Sequence, residues 1–126
     1  MLVFESSVFS IVPGEDADTN PGIYGRSLAL WLAEQLREGG FAPGEIIAED
    51  FGWCVPVKAE GHSLYVACAS TDEKASEWRV FVFGEGGGWA RVIGHDRRAE
   101  SVSAVFTMIR HCFEQAPDIH GLREET

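Results

Sequence analysis

Only two stretches of this chain repeat their apolar residues at helical spacing, and that restriction decides what it can fold into. In the first, Tyr24, Leu28, Trp31, Leu32 and Leu36 fall on one stripe, with Arg26, Glu34, Arg37 and Glu38 off it. Asn20-Pro21 supplies a helix start and Gly39-Gly40 a stop. The second runs from about Ala99 to Gln115, where Val102, Val105, Phe106, Ile109 and Phe113 oppose Glu100, Ser103, Thr107, Arg110 and Glu114 until Pro117 ends the helix. A helix greasy on one stripe has to bury it against a second layer. The residues between and before the two helices form short extended runs at hairpin spacing, so the second layer is an antiparallel sheet. The expectation is an α+β two-layer sandwich in the order β-α-β-β-β-β-α, with five or six strands covered on one face by both helices.

The runs can be placed individually. Leu2 to Val12 reads as one long strand, kinked near Glu5-Ser6-Ser7 and ended by Pro13-Gly14. Glu15 to Asn20 follows as an exposed acidic loop. Asp16, Asp18 and Asn20 have the first ligand spacings of a calcium loop, but Pro21 stands where that loop needs glycine and Ser27 where it needs its closing Glu. No metal site is expected. Phe41 to Gly44 is a turn, Glu45 to Glu49 a short strand, and Trp53 to Ala59 a longer one in which Pro56 points to an edge or a bulge. Glu60-Gly61-His62 then turns the chain into Ser63 to Ala69, and the register of this hairpin decides whether Cys54 and Cys68 are neighbours. Trp78 to Phe83 is the most strand-like run and is expected to be central, while Trp89 to Ile93 is a candidate edge strand. Gly84 to Gly88 lacks the Lys-Ser/Thr ending of a phosphate loop and reads as a turn. One domain is expected over residues 1–116, with 117–126 as a flexible tail.

Composition removes several functions. A formal net charge of −10, with ten dispersed Lys and Arg, argues against nucleic acid and permits a basic protein partner. No apolar run approaches the roughly 20 residues that span a bilayer, and the start lacks the pattern of a signal peptide, so a soluble cytoplasmic protein without membrane contact is expected. Cys54, Cys68 and Cys112 are odd in number and widely spaced, and the four histidines show no ligand spacing. Neither a disulfide framework nor a cofactor is implied.

The stretch Ala48-Glu49-Asp50-Phe51-Gly52-Trp53 sets two carboxylates against an aromatic-Gly-aromatic triplet. Together with Tyr24-Gly25-Arg26-Ser27-Leu28, Trp31-Leu32, Gly40-Phe41 and Leu64-Tyr65-Val66-Ala67-Cys68, it resembles a family of small uncharacterised bacterial proteins carrying a Glu-Asp-Trp-Gly-Trp signature. The resemblance covers about Ile23 to Phe83 and departs at Phe51, where the family more often has Trp. It implies a fold and transfers no chemistry. Read from its residues, the stretch is either a ligand site, with Glu49 and Asp50 beside the Phe51 and Trp53 rings, or a structural corner, with Phe51 and Trp53 in the core and Arg26 in reach of the acids. The corner is preferred.

A second functional clue lies in the central strand. Arg79, Phe81 and Phe83 compete with Trp78, Val80 and Val82 for the helix side, and the losing set leaves an apolar patch. The leading expectation is a non-enzymatic interaction protein that binds an unidentified protein partner through this open face, with Phe83 at the contact. The alternative is a small-molecule-binding or hydrolytic domain at Glu49 to Trp53, and self-association through a sheet edge is a third.

Overall fold

The computed structural model describes residues 1–71, 76–84 and 98–125. The chain runs β1 (Leu2–Glu5), a 3-10 turn (Glu15–Ala17), α1 (Arg26–Glu38), β2 (Ala42–Pro43), β3 (Ile47–Glu49), β4 (Gly52–Ala59), β5 (His62–Ser70), β6 (Glu77–Gly84), α2 (Arg98–Gln115) and β7 (His120–Glu124). All strand pairs are antiparallel, in the order β2-β4-β5-β6-β1-β7, with β3 also paired to β4. The architecture is therefore the expected α+β arrangement, with seven strands in the sheet among the described residues. No helix among the described residues is long and apolar enough to cross a membrane.

Both helices lie on one face. Leu28, Leu32 and Leu36 of α1 and Val105, Ile109 and Phe113 of α2 join one buried cluster with Trp53, Val55, Val57, Leu64, Val66, Cys68, Trp78, Val80, Leu2 and Phe4. These sheet residues share one parity in the register, for example Phe4 opposite Trp78, Val80 opposite Cys68, and Cys68 opposite Trp53. At the centre Trp31 stacks on Phe113 with centroids 5.2 Å apart, and Trp78 donates its indole N–H to the Ser6 carbonyl at 3.1 Å. Buried indoles usually find such an acceptor, whereas the buried Trp53 indole N–H has none among the described residues.

The long first strand divides differently from the sequence pattern. It leaves the sheet after Glu5, where Ser6 still bonds to Ser76 but the Val8 amide turns back to the Ser6 hydroxyl, so Phe9 drops into the core and Ile11 and Val12 are exposed. A serine hydroxyl competing with the ladder for a backbone donor accounts for the exit.

The acidic loop that follows is not simply solvated. Glu15 is only 5% exposed, and its carboxylate accepts from the backbone of Val12 (2.9 Å), Gly25 (3.2 Å) and Arg26 (3.0 Å). It caps α1 from eleven residues before the helix begins. The helix accordingly begins at Arg26 rather than near Pro21, and its N-cap Gly25 supplies no side chain of its own. Glycine is needed there because a Cβ would come 3.1 Å from the Cys68 carbonyl oxygen, at a φ of +158°. Asp16 accepts from the Gly22 amide, and Asn20 donates to the Asp50 carbonyl, so two of the three residues with calcium-like spacing pin the loop.

Two short segments add strands to the expected set. Ala42–Pro43, read as a turn, pairs with Val57 and Lys58. Residues 120–124, read as tail, form β7 on the outer side of β1, with the Met1 and Glu125 backbones bonded to each other. Pro56 sits where the edge is interrupted between β2 and β3. Its carbonyl accepts from Gly44 on that side, so the missing proline N–H also faces the interruption. The Glu60-Gly61 turn has φ of +52° and +80°, a two-residue hairpin with both central residues left-handed. It sets Cys54 opposite Ala67 and Cys68 opposite Trp53, which puts the two thiols on opposite faces. The expected edge strand at Trp89 to Ile93 and most of the glycine-rich turn lie outside the described residues.

Candidate functional site

The Glu49 to Trp53 stretch is a hairpin turn. Glu49 pairs with Gly52, leaving Asp50 and Phe51 as the two turn residues between β3 and β4. Gly52 has φ +150°, and a Cβ there would overlap the Cys68 carbonyl oxygen, so only glycine lets β4 approach β5 this closely. Trp53, next along, faces the helices and belongs to the core. The turn is fastened by the Asn20 amide on the Asp50 carbonyl at 2.7 Å. Both acids are exposed.

Phe51 goes the other way. It is 39% exposed and leans over the sheet face opposite the helices, its ring 6.0 Å from Phe81 and 6.5 Å from Phe83. Phe83 stacks on Phe81 at 5.8 Å and on Tyr65 at 5.3 Å. The central strand is thus resolved: Trp78 and Val80 are buried beneath the helices with Val82 packed against them, and Arg79, Phe81 and Phe83 take the second face. Register explains the grouping, since Phe83 lies opposite Tyr65 and Phe81 opposite Ala67. The neighbouring positions Cys54, Ala67 and Ala69 are small, which lowers the surface of β4 and β5 beside the three half-buried rings of Tyr65, Phe81 and Phe83.

Of the residues singled out from the sequence, Phe51 and Phe83 come together. Glu49 and Asp50 sit at the turn beside them, and Trp53 is on the opposite side of the sheet. Arg26 is exposed on the first turn of α1, where it lines a hollow of about 540 Å³ with Leu30, Pro43, Glu45 and Ile46. Among the described residues it makes no ion pair with Glu49 or Asp50. Tyr65 and Phe81 complete the cluster. Parity marks Phe81 as a companion of Phe83, but Tyr65 joins only through the β5–β6 register, which sets it opposite Phe83.

Thiol chemistry is suppressed throughout. Burial, reinforced by the charge of Glu49, pushes the Cys54 thiol up to about 11. Cys68 is held well above the ordinary thiol value by complete burial and donates to the Gly25 carbonyl, while burial also raises Cys112. A protonated thiol is a poor nucleophile and metal ligand. Among the described residues no three His, Cys, Asp or Glu side chains gather where they could hold a metal.

Comparison with protein-family models, curated proteins and solved structures gives no match. The functional reading therefore rests on the residues themselves. This face presents one exposed ring, Phe51, and three half-buried ones beside the small buried residues Cys54, Ala67 and Ala69, with an acidic turn at its border, an apolar surface of the kind another apolar surface can cover.

Proposed function

We propose that this chain is a non-enzymatic interaction module that engages a protein partner across the sheet face bearing Phe51, Tyr65, Phe81 and Phe83. One observation carries the reading: four aromatic rings linked at 5.3 to 6.5 Å lie on the face turned away from both helices, with Phe51 more than a third exposed. Aromatic side chains contribute large contact area for little lost rotamer freedom and dominate binding hot spots. The excess of acids, including Glu49 and Asp50 at the border of the patch, favours a basic partner and would speed encounter with it. A cytoplasmic setting belongs to the same reading, since all three cysteines are free.

The alternative hydrolytic reading needs a carboxylate pair in a pocket, whereas Glu49 and Asp50 are exposed on a turn. The test is affinity capture from the native host with the intact chain, Phe83→Asp and Glu49→Gln as baits. A partner retained by Glu49→Gln and lost with Phe83→Asp supports the sheet face. Equal capture by all three, or none at any salt concentration, refutes it. A second copy of the chain is one partner the patch could accept, and sedimentation equilibrium of the intact chain and Phe83→Asp would detect it.

A further inference from the structure

One polar group on the second sheet face lacks a partner, and its surroundings explain why. Arg79 lies between Ala69 of β5 and Val3 of β1 in the register, so neither directly opposite side chain offers an acceptor. Beyond Val3 the next residue in the row is Arg123, which is occupied by Glu125 at 2.7 Å and Glu77 at 3.1 Å. Glu77, two residues before Arg79 on the same face, accepts from the Thr71 hydroxyl at 2.7 Å as well as from Arg123. Of the acids on this face, Glu77 is thus engaged by Thr71 and Arg123, and Glu5 lies opposite Glu77 in the register rather than opposite Arg79. The Arg79 Nε is buried with no hydrogen-bond partner, a costly arrangement for half of a guanidinium fork.

Arg79 also lines a hollow of about 600 Å³ at the end of β5 and β6, walled by Pro21, Gly22, Ile23, Tyr24, Ser70 and Thr71. The wall is fixed in place and largely self-satisfied. Ser70 donates its amide to the Tyr24 carbonyl at 2.8 Å and accepts the Tyr24 amide on its hydroxyl at 3.0 Å, and the Gly22 amide is taken by Asp16. Among the described residues Arg79 is the only cationic side chain in the lining. We propose that this hollow is an oxyanion site, in which the Arg79 guanidinium takes two adjacent oxygens of a carboxylate or phosphate through Nε and a terminal nitrogen. A side-on pair of this kind would satisfy the orphaned N–H, and the planar fork matches both anions. The site is separate from the aromatic patch and does not depend on the interaction reading.

The test is a nitrogen-15 NMR titration of the intact chain with succinate and, separately, inorganic phosphate, with chloride at matched ionic strength as control. The expected result is a saturable shift of the Arg79 Nε–H and of the Ser70 and Thr71 amides with at least one oxyanion and not with chloride; which one saturates tells a carboxylate site from a phosphate site. Arg79→Lys keeps the charge without the fork, and Arg79→Gln removes both. Each should keep the native spectrum elsewhere and lose the saturable amide shifts, an affinity loss of about tenfold or more for Lys. Absence of a saturable shift with both anions, or unchanged shifts in Arg79→Lys, overturns the proposal. Should one variant lose the native spectrum, the other and the unmutated chain still decide it.

Discussion

Replacing Glu15 by alanine tests the capping arrangement directly. The change removes the acceptor for three backbone N–H groups, those of Val12, Gly25 and Arg26. Hydrogen bonds to an ionised group contribute about 1.5 to 3 kcal/mol each, but Val12 and Arg26 are exposed and water can replace most of their share. Gly25 is buried, so its donor bears close to the full penalty. Loss of a negative charge at the α1 N-terminus adds about 0.5 to 1 kcal/mol, and relief of carboxylate desolvation subtracts a comparable amount. The net expectation is about 3 kcal/mol. With an unfolding entropy of about 2.1 cal/mol/K per residue, the melting temperature should fall by about 11 °C. Glu15→Gln should cost about 2 kcal/mol, because its single carbonyl cannot serve every donor and its NH2 group confronts one of them. The assay is thermal and urea unfolding monitored by circular dichroism, with exposed Asp18→Ala as control. A Glu15→Ala protein that melts within about 2 °C of the control would refute the reasoning.

Two further outcomes follow from the same contacts. Gly52→Ala should destabilise the chain by about 3 kcal/mol or more in urea unfolding, because the new Cβ would strike the Cys68 carbonyl and the Ala69 methyl at a φ reserved for glycine; a loss below about 1 kcal/mol contradicts this. The raised thiols make a statement about alkaline pH: Cys54 goes from an ordinary value of 9.0 to about 11 on folding, so the folded state keeps its proton longer. Their stabilising effect is present in full below pH 9, is lost as pH rises through about 11, and should shrink in Cys54→Ala when unfolding is measured across that window.

How much was legible in the sequence depended on the range of the interaction that encodes it. The stripes of α1 and α2, the alternation of β4 and β5, and the glycine-aromatic corner at Gly52 are written in residues two to four positions apart, because helical and extended periods are local. Their element types follow from the sequence alone. Phe83 was identifiable as a residue of one sheet face, but not of which face. Register and helix placement settled that, along with the partnership with Phe51 and Tyr65.

The rest required tertiary contacts at long sequence separation. Glu15 caps a helix whose first residue is eleven positions away, and nothing in an acidic loop marks one carboxylate for burial. His120–Glu124 looks like a polar tail because an edge strand needs little hydrophobicity when its partner β1 supplies the ladder. Arg79 reads as an ordinary surface arginine until its flanks prove to be Ala69 and Val3. Sequence by itself determined the two described helices and the strands β3 to β6, since those preferences are summed over neighbours. Only the folded chain decided which side chains are left facing outward and which polar groups are left unpaired, since both depend on residues brought together from distant parts of the chain.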